Sequence, residues 1–229
     1  MDLTLTPDEI VYWQAGAIKL NATLVFSWLV MALLVGISWL ITRNLSLGPA
    51  ISRRQSLLET LVLTMRSQIA DMAQHTPDRY PPFIGTLYLF IALSNLLTIV
   101  PGYYAPTASL SVTGALAICV FFAVPIFAIR ERGLRGYLRY YVDPTPIMLP
   151  FRIISDFSRT IALAVRLFGN VMSGALILAI LVSIVPFIVP IAVTALDLII
   201  GQIQAYIFAV LAMVYIGAAA QITGDENQQ

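Results

Sequence analysis

Charge is the scarcest property of this 229-residue sequence. Only 11% of its residues are charged, whereas 59% are hydrophobic, and the mean hydropathy is +0.86. A soluble domain usually has about 25% charged and about 45 to 50% apolar residues. The composition therefore excludes an ordinary soluble domain and predicts an integral membrane protein.

Lysine, histidine and cysteine each occur only once. Lys19 is the single lysine among 13 basic residues and the net charge is +1, so we expect no basic tail that binds nucleic acid. His75 is the single histidine and Cys119 the single cysteine. Metal centres, Ser/His catalysis and an internal disulfide need more of these side chains than the sequence contains. We therefore expect no bound metal and no cofactor.

Apolar stretches of membrane-spanning length recur along the chain. A hydrocarbon core of about 30 Å needs about 20 apolar helical residues per crossing. Stretches that approach or exceed this length lie at residues 21–42, 83–100, 108–129, 147–185 and 190–223. The sequence thus predicts an all-α integral membrane protein, a single membrane domain over residues 1–229 with about five membrane-embedded helical segments.

Residues 51–75 have a different pattern. Leucines, isoleucine and methionines at helical spacing alternate with arginines and acidic residues, which is typical of an amphipathic helix at a membrane surface. Residues 1–82 would then contain the first span and this helix, and residues 83–223 the remaining membrane core.

The distribution of arginine indicates the orientation. Nine of the 13 basic residues fall in the connections that follow the first and the third span. Because cytoplasmic loops carry an excess of Lys and Arg, both connections are predicted to be cytoplasmic. The N-terminus is then outside and the C-terminus inside.

The fourth stretch is too long for an ordinary span. Its 39 residues would form a helix of about 58 Å, nearly twice the hydrocarbon thickness. It must either tilt steeply or break, for example near Gly169 or Gly174. A steep tilt needs a protein surface beside the helix, so the length indicates a partner in the membrane. We expect both of the last two helices to be long and steeply tilted.

Charged residues inside the last two stretches are the strongest functional signal. Each costs about 2.5 to 3.5 kcal/mol at a helix centre and is usually functional. The first four advance by four, three and seven residues and are predicted to share one helix face with Leu163. The five charged residues are Arg152, Asp156, Arg159, Arg166 and Asp197.

Arg166 differs from the other charges on its helix. Asp156 is within reach of Arg152 and Arg159, but no carboxylate lies within a turn of Arg166. A guanidinium does not lose its proton, so Arg166 needs an anionic or polar partner. Two alternatives remain: Arg166 snorkels or forms a structural ion pair with Asp197, or its anion belongs to another polypeptide.

The last stretch has a polar face of its own. Asp197, Gly201 and Gln204 advance by four and three residues. Small residues on this helix would let another helix approach closely, namely Gly201, Ala205, Ala209 and Ala212. Asp197 is interpreted either as an interfacial carboxylate near a helix end or as one station of an ion path.

The last four stretches and the connections between them contain the motifs Arg166-Leu167-Phe168-Gly169-Asn170, Gln204-Ala205-Tyr206-Ile207-Phe208 with Tyr215, Asn95-Leu96-Leu97, Pro101-Gly102 and Pro106-Thr107. Together these motifs resemble subunit a of the rotary F-type ATP synthases, the membrane stator that faces a ring of c subunits. The resemblance covers roughly residues 83–222, and the first 80 residues match only in having one span and a following cytoplasmic segment.

The resemblance implies an ion-translocating stator core at residues 83–223. Arg166 would face the carboxylates of the c ring, which load an ion from one aqueous half-channel and release it into the other. Gln204 and Asn170 match residues that accompany this arginine, and Asp197 matches a position that lines the outer half-channel. Further lining is expected from Arg152, Asp156 and Arg159, of which Arg159 matches a basic position of the family. Asn95 would either line the outer half-channel or form a hydrogen bond to a neighbouring helix.

Two positions depart from the family pattern. Ala175 and Arg152 stand where many proton-translocating members carry glutamate. The transported ion, proton or sodium, therefore stays open, and a divergent N-type enzyme that favours sodium is a narrower hypothesis.

The resemblance also implies the setting of the chain. Its partners would be the c ring, the peripheral-stalk b subunits, the F1 sector through the complex, and membrane lipid, with no nucleic acid. The subunit would translocate ions in the inner membrane of a prokaryote without being catalytic itself.

Two rival interpretations come from other classes. A secondary transporter or channel would also bury Arg and Asp, but such proteins usually show paired repeats and more spans. An intramembrane enzyme would have only Asp156 and Asp197 as a catalytic pair, and Asp156 already has arginine neighbours.

Overall fold

The computed structural model describes residue 8 and residues 11–15, 18–43, 80–100, 102–142, 147–185 and 188–221. The predicted amphipathic helix at residues 51–75 lies outside the described residues. Within these described ranges five helices are long and apolar enough to cross a membrane, which confirms the predicted all-α membrane class. They are α1 (Ala22–Thr42), α2 (Tyr80–Leu96), α3 (Leu110–Val142), α4 (Met148–Ile184) and α5 (Ile188–Gln221).

A short β-hairpin precedes α1 and was not predicted. Strand β1 (Val11–Ala15) pairs antiparallel with β2 (Ile18–Asn21), and a bulge lies between Val11 and Trp13. The sequence signal was Gly16, because glycine at the first position of a two-residue connection favours a tight hairpin turn.

The α2–α3 connection contains two short 3₁₀ turns, Leu97–Ile99 and Pro106–Ala108. The second, which we call the proline turn, is completely buried and contacts all of the first four helices. It lies at the same end of the bundle as the start of α3, and its burial makes this connection part of the packed structure.

Helix α3 is longer than the predicted third span. Gly133 has a φ of 73° and interrupts the helical geometry, after which a helical segment continues to Val142. The left-handed region favours glycine because it has no Cβ. Gly133 therefore marks the bend between the apolar part of α3 and the charged segment that follows it.

Helix α4 is continuous over 37 residues. The alternative of a break near Gly169 or Gly174 is wrong, because a single glycine costs a helix only about 1 kcal/mol and packing outweighs that cost. At about 56 Å the helix exceeds the hydrocarbon thickness, as expected from the sequence.

Helices α2 to α5 form the packed core and α1 lies at its side. The main apolar cluster joins residues of all four core helices. Leu163, Leu167 and Phe208 are among its largest fully buried side chains. The small residues predicted to allow close approach, Gly201, Ala205, Ala209 and Ala212, are all buried, which confirms their packing role.

Candidate functional site

Arg166 lies on the outside of the bundle near the middle of α4. Its side chain is exposed, whereas Leu163 and Leu167 beside it are buried in the core. Among the described residues it forms no hydrogen bond, ion pair or ring contact. The alternative of a structural ion pair between Arg166 and Asp197 is therefore wrong for the described structure.

The residues predicted to share a face with Arg166 divide into two groups. Asp156 is half-buried and Leu163 is buried, while Arg159 and Arg166 are exposed. With about 100° per residue, steps of four, three and seven residues spread the set over an arc of about 80°. The predicted shared face is therefore confirmed, but the edge of the packed surface runs through it, so its residues differ in burial.

Charged and aromatic side chains gather between α3, α4 and α5, near the α3–α4 connection. Arg159 lies 4.0 Å from Asp156, and its Cζ atom is 5.5 Å from the ring centroid of Tyr215. The predicted pairing of Asp156 with Arg159 is confirmed, and Arg152 is half-buried with an interaction of its own. An ion pair this exposed contributes little to stability, since Arg159 is 47% exposed.

A small cavity adjoins this charged group. Its volume is about 50 Å³, and Asp156, Arg159, Thr160, Tyr137 and Tyr215 contribute its polar lining. One water needs about 10 to 15 Å³ of such a volume, so the cavity can hold a few waters. Carboxylate, guanidinium and hydroxyl groups around a few waters can pass a proton or hydrate a cation.

Asn95 lies at the opposite end of the same helices. Its Nδ2 donates to the carbonyl oxygen of Gly201 at 2.8 Å, and its Oδ1 accepts from the hydroxyl of Thr107 at 3.2 Å. Nearby, Gln202 Nε2 donates to the carbonyl oxygen of Ala92 at 3.0 Å. Asn95 is 4% exposed, so the structure gives it a clear packing role between α2 and α5.

Asp197 stands directly against Gly174. A Cβ atom on Gly174 would lie 2.6 Å from both Cγ and Oδ2 of Asp197. The absence of a side chain on α4 is thus what makes room for the carboxylate on α5. Asp197 itself is half-buried and forms no hydrogen bond or ion pair with another described residue.

Two amides of the predicted site have buried donors without acceptors. Asn170 Nδ2 and Gln204 Nε2 are inaccessible and have no hydrogen-bond partner in the described part of the chain. Gln204 is 7% exposed. An unpaired buried amide is costly, so these groups are suited to a partner that comes from outside the chain, such as water or a carboxylate.

A further pair of polar side chains lies near Asn95. The hydroxyls of Ser94 and Tyr103 are buried, and neither completes a hydrogen bond of normal geometry within the described residues. Burial raises the pKa of the Tyr103 phenol, and the nearby Ser94 hydroxyl offsets this only in part. Tyr103 therefore stays protonated throughout the physiological pH range. No sequence pattern distinguishes Tyr103 from an ordinary tyrosine at the membrane interface.

The described residues contain no group of three or more His, Cys, Asp or Glu side chains that could hold a metal ion. The polar groups are instead divided between two ends of the α4–α5 pair, with Arg166, Asn170 and Gln204 between them. Asp156 and Asp197 belong to different ends, which argues against a catalytic pair of aspartates.

These helices and charges define a class of protein, the multi-pass helical membrane proteins that carry ionisable residues inside apolar helices. The family described as ATP synthase A chain matches residues 24–217. The chain belongs to this family.

Curated relatives agree over nearly their full lengths. ATP synthase subunit a 2 of Acaryochloris marina is 59% identical over 224 residues, which cover 98% of this chain and 96% of the relative. ATP synthase subunit a 1 of Crocosphaera subtropica is 56% identical over 220 residues, 96% of each chain. ATP synthase subunit a of Albidiferax ferrireducens is 57% identical over 219 residues, 96% of this chain and 95% of the relative. The resemblance to subunit a is therefore confirmed.

Proposed function

We propose that the chain couples cation translocation to rotation of a c ring, as the stator subunit in the membrane sector of an F-type ATP synthase. Family membership supports a place in the ATP synthase complex. The two half-channels, the role of Arg166 and contacts with the c ring, the b subunits and F1 are the proposed parts. The subunit itself would be non-catalytic and lie in a prokaryotic inner membrane, N-terminus outside and C-terminus inside.

The observation that carries the proposal is the unpaired guanidinium of Arg166 on the exposed side of α4. A permanent cation inside an apolar helix requires an anion, and the described part of the chain supplies none. A ring of subunits that each carry one carboxylate would supply it in succession. Arg166 would keep the nearest carboxylate ionised and repel cations that leak directly between the two sides.

The polar groups at the two ends of α4 and α5 support two separate routes to Arg166. On the outer side Asp197 would receive the cation, and Asn95 would hold α5 in place beside it. On the inner side Asp156, Arg159 and the adjoining cavity, with Arg152 nearby, would form the other route. Asn170 and Gln204 would donate to water or to the visiting carboxylate near Arg166.

Replacing Arg166 tests the proposal. We expect Arg166→Ala to abolish ATP-driven cation pumping in inverted membrane vesicles while the complex still assembles. Arg135→Ala is the matched control, because Arg135 is an exposed arginine on the last part of α3. Full coupled pumping by Arg166→Ala, or an equal loss in Arg135→Ala, would contradict the proposed role.

The cation is a separate question, because the ligands of the c ring select it. Asp197 suits a proton or sodium, and the positions of Ala175 and Arg152 support the narrower hypothesis of a sodium-translocating N-type enzyme. ATP hydrolysis by the purified complex, measured with and without sodium, distinguishes the two. Stimulation by sodium indicates a sodium enzyme, and equal rates at all sodium concentrations indicate a proton enzyme.

A further inference from the structure

Asp8 connects the start of the chain to two helices. Its Oδ1 accepts a hydrogen bond of 2.6 Å from the hydroxyl of Thr23 in the first turn of α1. Its Oδ2 accepts another of 2.6 Å from the hydroxyl of Ser109, immediately before α3. Ser109 is fully buried and Thr23 is 3% exposed. Two short bonds to one carboxylate, from residues 15 and 101 positions away, hold this residue in one place.

Ser109 is also the residue that immediately precedes α3 and pairs with its first backbone N–H groups. Its hydroxyl accepts from the backbone N–H of Ser111 at 3.2 Å, and its carbonyl accepts from the backbone N–H of Thr113 at 3.1 Å. A serine in this position satisfies backbone donors that the helix leaves unpaired. Asp8 thus binds the group that fixes the start of α3, and the β1–β2 hairpin follows Asp8 by three residues.

The proline turn continues this connection towards α5. Thr107, within the turn, donates to Asn95 on α2, and Asn95 donates to the carbonyl of Gly201 on α5. A Cβ on Gly201 would lie only 3.1 Å from Asn95 Nδ2, so α2 and α5 are in close contact here. Gly201 is four residues after Asp197 and three before Gln204.

We propose that Asp8 is a positioning residue for the ion path. It holds the proline turn on the outer side of the bundle and, through Thr107 and Asn95, fixes the part of α5 that carries Asp197 and Gln204. This inference rests on the proposed function for its effect on transport, while the structural connection stands on the hydrogen bonds alone.

A carboxylate suits this position because both of its oxygens accept. Alanine removes both acceptors, whereas asparagine keeps the shape and one accepting oxygen. Hydrogen bonds to a charged group are stronger than those between neutral groups, so Asp8→Asn should also have an effect. We expect this effect to be smaller than that of Asp8→Ala. The asparagine variant also gives a measurable protein should the alanine variant assemble poorly.

The first measurement is hydrogen–deuterium exchange in the purified complex. Asp8→Ala should raise exchange in residues 102–109, and Asp8→Asn should raise it less. Ser109→Ala should give a similar rise, with little further change when it is combined with Asp8→Ala. Thr86→Val is the control, because it removes one hydroxyl bond on the exposed side of α2, to Pro82. Unchanged exchange in Asp8→Ala would overturn the connection whatever the subunit transports.

The second measurement is ATP synthesis driven by an imposed cation gradient. Asp8→Ala should raise the half-saturating cation concentration on the outer side by about 10-fold, with a smaller change in maximal rate. Asp8→Asn should restore much of the affinity, and Thr86→Val should match the unmodified complex. Increased exchange with unchanged saturation would overturn the positioning role. If the unmodified complex neither makes ATP from a gradient nor pumps cations with ATP, the proposed function fails and the exchange result still decides the connection.

Discussion

Gly174→Ala tests the contact between α4 and α5 with a single added methyl group. The new Cβ would lie 2.6 Å from Cγ and Oδ2 of Asp197, where ordinary contacts are 3.4 to 4 Å. The two groups must therefore separate by about 1 Å, and overpacking of this kind costs about 1 to 3 kcal/mol. Alanine also returns about 1 kcal/mol of helix propensity, so the net loss of stability should be about 0 to 2 kcal/mol.

The effect on transport should exceed the effect on stability. Either the carboxylate of Asp197 swings away from α4 or the two helices move apart, and both change the site that would receive the cation. If the full 1 to 3 kcal/mol enters the rate-limiting step, pumping slows by about 5- to 150-fold. ATP-driven pumping in inverted vesicles measures the rate, and the midpoint of thermal unfolding of the purified complex measures stability.

Two further variants isolate the cause. Gly114→Ala places a methyl group on α3 where no atom lies within 4 Å, so it should raise stability slightly and leave pumping unchanged. In an Asp197→Ala background, Gly174→Ala should no longer destabilise, because the clashing carboxylate is gone. Equal behaviour of Gly174→Ala and Gly114→Ala in both assays would refute the reasoning.

Three other substitutions separate stability from transport. Asp197→Asn should slow pumping while the complex stays assembled, and an unchanged rate would make the carboxylate structural. Gln204→Met should leave the unfolding midpoint equal or higher, because it removes an unpaired buried amide, yet lower the pumping rate; a large fall in the midpoint would show a structural bond. Tyr103→Phe should also preserve stability at neutral pH. Above about pH 10 the tyrosine should lower the free energy of unfolding, and the phenylalanine variant should lack this loss. The sign follows from the raised pKa of Tyr103 in the folded chain. As the pH rises, the unfolded chain loses its phenolic proton first, and this favours the unfolded state. Thermal unfolding of both proteins at pH 8 and pH 11 checks this, and an identical pH dependence would contradict it.

The membrane helices could be predicted from the sequence because each depends on a local property. Apolar length alone gave α1 and α4 within two residues of their observed ends. The helical spacing of the charged residues also indicated that Arg166 has no carboxylate within one turn of its own helix, and the structure agrees. These predictions required no knowledge of which helices are neighbours.

Features that depend on neighbouring helices could not be predicted in this way. Leu163 and Arg166 are three residues apart, and only the positions of the neighbouring helices decide that one is buried and the other exposed. Gly174 looked like a breaking point because the carboxylate that needs its missing side chain is on another helix. Asp8 and Ser109 are 101 residues apart, so no local pattern indicates their bond.

The one-sided anchoring of α1 has a consequence for biogenesis. Its described buried residues, Ala22, Thr23, Ser27 and Val30, all belong to its first nine positions, and the described side chains after them are exposed or half-buried. Such a helix can leave the translocon alone, because it needs no companion to be soluble in the bilayer. α4 carries three arginines in its first half, Arg152, Arg159 and Arg166, and packs against α3 and α5. The apolar helix α1 precedes the charged helix α4 in the chain. The helices are therefore synthesised in the order in which they become able to insert into the membrane.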